Sequence, residues 1–132
     1  MHLVDSSVLY SILLGEKSGS WSKAKLNGLR AAGGAFINQI VYSEMCAFAE
    51  SEKEADDVLA PLVSRVDLPW TATFPAGQAF KLYRNRGGKK QRMLPDFLIA
   101  AHAAVLGWAL VTNNANDVRN YFPNLKIISP PA

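Results

Sequence analysis

Short apolar runs alternate with longer segments of mixed polarity along the 132 residues, a pattern that predicts strands separated by helices. His2-Leu-Val4, Ala35-Phe-Ile37, Ala109-Leu-Val-Thr112 and Leu125-Lys-Ile-Ile128 are brief and apolar, as strands covered on both faces are. Val66-Asp-Leu68, ahead of Pro69, reads as one more. The intervening spacing predicts helices over 8–14, 21–32, 40–49, 58–65, 71–83 and 95–106, with Asn38 as the cap of the third. The last of these is apolar on nearly every face; Pro95 suits its first turn and Gly107 its stop. No internal repeat and no linker interrupts the βαβα order. The expectation is one α/β domain over 1–132, a parallel sheet of four to five short strands with helices on both faces.

Acids set into this apolar frame are the informative exceptions. Asp5 follows the first strand, Glu44 shares a helical face with Ile40 and Phe48, Asp96 sits in the first turn of the apolar helix, and Asp117 follows the fourth strand. Each has a plain alternative. Asp5 or Ser6 could be a helix N-cap. Asp96 could complement a helix N-terminus, and Glu44 could lie at the edge of its stripe and reach water. Glu50, Glu52, Glu54, Asp56 and Asp57 cluster in polar sequence and read as a solvated face.

If the first four converge, they need a counter-charge, since neighbouring carboxylates raise each other's pKa values. The predicted elements place no cation beside them, and oxygen-only ligands point to Mg²⁺ or Mn²⁺ rather than zinc. His2 and His102 lack partners at zinc-ligand spacing, and His102 reads as a hydrogen-bonded core residue.

Composition narrows the class further. Hydrophobic residues make up 49% of the chain, enough for a packed core, yet no apolar run reaches the roughly 18 residues a membrane helix needs. The single cysteine, Cys46, excludes an internal disulfide, and no signal peptide is evident, so a cytoplasmic home is expected. The net charge of +3 is concentrated in residues 81–92, where Gly87-Gly88 suggests a flexible loop. That loop is either solvated or a contact for phosphates. A carboxylate-bound divalent ion beside it is equipment for phosphodiester hydrolysis.

Leu3-Val-Asp-Ser-Ser7, Glu44 after the second strand, Pro95-Asp-Phe-Leu-Ile-Ala-Ala-His-Ala103 and Leu110-Val-Thr-Asn-Asn114 with Asp117 occur in one order over nearly the whole chain. In this the chain resembles the PIN-domain ribonucleases, and within them the VapC-type toxins of bacterial toxin–antitoxin pairs. The resemblance implies a three-layer α/β/α fold. It makes Asp5, Glu44 and Asp96 the main acids and Asp117 the variable fourth, a place that Asn114 could share. Ser6, Ser7 and Thr112 become hydrogen-bonding supports. Asp5 and Asp96 become the chief ligands of Mg²⁺ or Mn²⁺, with Glu44 holding or deprotonating the attacking water. Lys89, Lys90 and Arg92 are candidates for contact with the RNA backbone.

The implied activity is a metal-dependent endoribonuclease that leaves a 5′-phosphate, is restrained by a VapB-type antitoxin, and works as a homodimer. Two alternatives stand beside it: a PIN-fold nuclease of housekeeping RNA processing, and a non-catalytic RNA-binding module.

Overall fold

A computed structural model describes residues 1–92 and 94–131. Its core is a five-stranded, all-parallel sheet in the order β3-β2-β1-β4-β5, flanked by helices in a three-layer α/β/α arrangement. The strands are β1 (His2–Val4), β2 (Ala35–Ile37), β3 (Ser64–Arg65), β4 (Ala109–Val111) and β5 (Ile127–Ile128). The helices are α1 (Ser6–Leu13), α2 (Gly19–Ala31), α3 (Gln39–Cys46), α4 (Glu52–Leu59), α5 (Thr73–Asn85), α6 (Pro95–Leu106) and α7 (Ala115–Arg119), and a 3₁₀ turn (Trp70–Ala72) precedes α5.

Strand order decides where a site can form. From β1 the chain moves toward β2 and β3, and from β4 it moves the other way to β5. The order therefore reverses between β1 and β4, and in open parallel sheets the crevice beyond the carboxyl ends at such a point is where ligands bind. Val4 pairs with Val111, and the residues next in line are Asp5 and Thr112.

Apolar side chains of the central strands fix this edge. Leu3, Val4, Ile37, Leu110 and Val111 are fully buried, together with Val8, Leu9, Val41 and Ile99 from the covering helices. A second, smaller cluster joins Ala72, Ala76 and Ala79 to Phe97 and Ala101 of α6. Small side chains on α5 let the two helices approach closely, and Tyr83, Phe97 and Tyr121 meet edge to face beside them. Gly107 ends α6 at φ 69°, a left-handed turn that a side chain would oppose.

Several boundaries differ from the sequence expectation. No helix covers 58–65: α4 stops at Leu59 because Pro61 follows, and the chain turns into β3. The third strand is Ser64–Arg65 rather than 66–68, chosen by pairing with Phe36 and Ile37 although both residues are exposed. The face of α3 turned to the core carries Val41 and Met45, so Glu44 lies at the edge of that stripe, not in its middle, and Phe48 falls beyond the helix end. The basic stretch 81–92 is only partly loop, since Lys81 to Asn85 complete α5. Among the described residues no helix is long and apolar enough to cross a membrane.

Candidate active site

Asp5 occupies the N-cap position of α1, but its side chain caps nothing. Its Oδ2 accepts hydrogen bonds from the hydroxyls of Ser7 (2.8 Å) and Thr112 (2.9 Å). Its Oδ1 is buried without a partner, and the whole residue is only 5% exposed. A plain capping role is thereby excluded. Buried polar atoms are nearly always paired, so an orphaned carboxylate oxygen asks for a reason. The hydroxyls that hold Oδ2 are themselves held: Ser7 Oγ accepts the Asn113 N–H (3.0 Å), and Thr112 Oγ1 accepts the Asn114 N–H (3.0 Å).

Glu44 approaches from α3. Ser6 Oγ donates to its Oε1 at 3.2 Å, and Tyr10 donates its phenolic hydrogen to the Glu44 carbonyl at 3.0 Å. Burial pushes the Glu44 carboxyl above its ordinary range, and the charges of Asp5 and Asp96 push the same way against the Ser6 hydrogen bond. Asp96, behind Pro95 in the first turn of α6, is also raised by burial and then by Asp5 and Asp117. Asp117 is exposed on α7, and Asn114, at the start of that helix, is exposed as well. Asp5, Glu44, Asp96 and Asp117 thus share one electrostatic neighbourhood.

Among the described residues no Lys or Arg forms an ion pair with them. The ion pairs among the described residues, Lys53 with Asp57 and Arg65 with Asp56, lie on exposed surface elsewhere. Hard oxygen donors, excess negative charge and the free Oδ1 of Asp5 fit Mg²⁺ or Mn²⁺ in type. In spacing the set is open: among the described residues no three Asp, Glu, His or Cys side chains stand close enough to hold one ion together.

Lys89, Lys90 and Arg92 are exposed on the loop before Asp96. That loop is tied down by Arg84, whose Nη1 donates to the Lys90 carbonyl and to Gln91 Oε1, both at 2.9 Å. Gly88 lies against the Tyr83 ring, where a Cβ would clash at 2.3 Å. Two residues of the site carry no local signal in the sequence. Tyr10 donates its phenolic hydrogen to the Glu44 carbonyl, and Asn113 donates its backbone N–H to Ser7 Oγ and its amide hydrogen to the Ser7 carbonyl, pairings set by which groups the fold brings opposite.

Behind the acids, Asn38 links two of their helices. Its Oδ1 accepts the Val41 N–H at 3.1 Å, capping α3 as expected, and its Nδ2 lies 3.0 Å from Nδ1 of His102 on α6. His102 is fully buried, its Nε2 has no partner, and burial lowers its pKa. It is a neutral, hydrogen-bonded core residue.

A family model described as PIN domain matches residues 2–122. Among solved structures, VapBC2 from Rickettsia felis bound to a promoter DNA fragment is similar at TM-score 0.70 and 22% identity, over 97% of each chain. DNA-bound VapBC from Salmonella typhimurium is similar at TM-score 0.67 and 21% identity, over 97% of this chain and 96% of that one. FitAcB from Neisseria gonorrhoeae is similar at TM-score 0.66 and 16% identity, with the same coverage. These identities speak for the fold alone. No curated protein matches the chain in sequence.

Proposed function

The chain belongs to the PIN domain family, and from that premise we propose that it is a metal-dependent endoribonuclease acting as the toxin of a VapBC-type pair. The observation that carries the proposal is the Asp5 carboxylate. One oxygen is saturated by Ser7 and Thr112, while the other is buried and, among the described residues, has no hydrogen-bond partner. Such an atom costs stability unless something binds it, and the same holds for the raised carboxyls of Glu44 and Asp96.

In this reading Asp5 and Asp96 hold Mg²⁺ or Mn²⁺. The ion, when bound, supplies acidity to a water and neutralises charge building on a phosphodiester. Glu44, its carboxyl raised above the ordinary range by burial, is suited to take up the proton the attacking water loses, with Ser6 orienting its Oε1. Ser7 and Thr112 keep Asp5 aimed, and Asp117 or Asn114 completes the acid edge. Lys89, Lys90 and Arg92 would meet the RNA backbone.

A partner is expected too, since relatives of the same fold are known as VapBC complexes. The exposed apolar groove formed by Leu13, Leu14, Phe48 and Val58 offers area for a VapB-type antitoxin to bury. A homodimer and a cytoplasmic location complete the reading.

The open spacing of the acids favours one competing reading, an RNA-binding module without chemistry. Structured RNA incubated with the purified, antitoxin-free protein separates the two. Cleavage in Mn²⁺ that stops in EDTA and with Asp5→Ala is the expected result. RNA retained intact by a folded wild-type protein in Mn²⁺ would overturn the nuclease.

A further inference from the structure

Glu44 and Asp96 are carried by different helices, α3 and α6. Among the described residues no three acid side chains already meet, so the gap between these two is set by how one helix lies along the other. Sliding a helix by a single residue moves its side chains by about 1.5 Å. A misplacement of about 1 Å is enough to cost an active site roughly a hundredfold. Whatever holds α3 in register with α6 therefore matters to the acids.

A buried hydrogen bond joins the two helices. Asn38, at the head of α3, donates an Nδ2 hydrogen to Nδ1 of His102 on α6 at 3.0 Å. Both side chains are buried, and Val41, Ile99 and Ala103, a helical turn or less away along the chain, belong to the apolar core. The imidazole is stacked on Trp108, with ring centroids 6.2 Å apart and 26° between the planes. A buried polar pair adds little net stability, since an apolar pair of the same shape can serve as well. What it adds is register: the bond forms at one setting of the helices and sliding breaks it, as a buried asparagine fixes register in coiled coils.

The pair is placed to act on the acids. Asn38 stands six residues before Glu44, and His102 six residues after Asp96. Asn38 touches His102 and the Glu44 carboxyl senses the Asp96 charge, so the helices pass antiparallel, with the bond at one end and the acids at the other. Each acid is then about 9 Å along its helix from the bond. We propose that Asn38 and His102 are positioning residues, whose hydrogen bond fixes the register of α3 on α6 and with it the spacing of Glu44 and Asp96. The inference rests on the metal-dependent reading of the acid site and adds which buried residues set its spacing.

Mn²⁺ binding to the full chain without RNA, followed by electron paramagnetic resonance, is compared with the Tm from circular dichroism. His102→Leu removes the acceptor while filling the space, and should weaken Mn²⁺ binding by about 10- to 100-fold. His102→Gln offers an acceptor oxygen to the Asn38 amide and should recover most of that loss. Asn38→Ser combined with His102→Leu keeps a cap on α3 and strands no amide. Its Tm should exceed that of His102→Leu alone, yet its Mn²⁺ binding should stay as weak. Leu29→Ala in the core on α2 is the control: it should lower the Tm and leave Mn²⁺ affinity within about twofold.

Mn²⁺ affinity that rises and falls with Tm across these variants, or a double variant that binds Mn²⁺ as the wild type does, overturns the positioning role. If the double variant does not fold, His102→Leu and His102→Gln decide, and equal affinities overturn it. Where the wild type binds Mn²⁺ and cleaves RNA, such a result removes the positioning role alone. A folded wild-type protein that binds no Mn²⁺ loses the positioning role and the metal-dependent reading together.

Discussion

The acids from Glu50 to Asp57 outnumber those at the carboxyl edge of the sheet, yet the two groups live under opposite conditions. On and before α4 most are exposed, with Lys53 2.6 Å from Asp57, Arg65 on Asp56, and the Tyr42 hydroxyl donating to Asp56 at 2.6 Å. At the sheet edge Asp5 is buried, Glu44 and Asp96 are half-buried, and the charges acting on Glu44 and Asp96 are those of other acids at that edge. Solvent and cations make the first group inexpensive. Burial and mutual repulsion make the second costly, and a fold retains such a cost where function needs it. The number of acids in a stretch is therefore a poor guide to chemistry; their company is the better one.

The contrast is broken most forcefully at its centre. Asp5→Ala should lower the initial rate of RNA cleavage in Mn²⁺ by about 10²- to 10⁴-fold, and Glu52→Gln on α4 should leave it within about twofold. Next comes the support beneath Asp5. Ser7→Ala removes the 2.8 Å bond to Oδ2 and should cost about 10- to 100-fold in activity or in Mn²⁺ affinity by titration, with the far-ultraviolet spectrum unchanged.

Stability should respond in the opposite direction. Glu44 and Asp96 have carboxyls raised on folding, so the native state binds more protons than the unfolded chain. The contribution of these two groups is therefore fullest below the ordinary carboxylate range and is lost as pH rises through the raised values. Asp96→Asn should accordingly raise the Tm at pH 7.5 in EDTA by roughly 2–5 °C, and the gain should vanish near pH 4. The weakest effect belongs to the exposed pair. Lys53→Ala should change the free energy of unfolding in urea by less than about 1 kcal/mol.

Much of this was legible in the sequence for physical reasons. β2 is a three-residue apolar run between Gly34 and the capping Asn38, and α6 announces both ends with Pro95 and Gly107. β3 was not legible, because Ser64 and Arg65 are exposed and polar, and their strand character comes from backbone pairing to β2. Pro61 marks a break that a continuous helix over 58–65 cannot accommodate. The stripe through Ile40, Glu44 and Phe48 requires a helix running to 49; with its end at Cys46, the buried line passes through Val41 and Met45. Within the site, Asp5 stands out by residue type and position after an apolar strand, whereas Ser7 and Thr112 come in as supports only through the resemblance to the PIN family. The parts played by Tyr10 and Asn113 depend on which peptide group lies opposite, and no local pattern encodes that.

The amide of Asn38 has a consequence for how this chain varies. With its oxygen committed to Val41, only the nitrogen is left for His102, so the ring must accept at Nδ1 and carry its proton on Nε2. Replacing the histidine by a side chain that cannot accept strands a donor in a dry interior, and replacing the asparagine strands the ring while uncapping a helix. In descendants of this sequence the two positions should change in concert or stay as they are, a covariation between sites 64 residues apart.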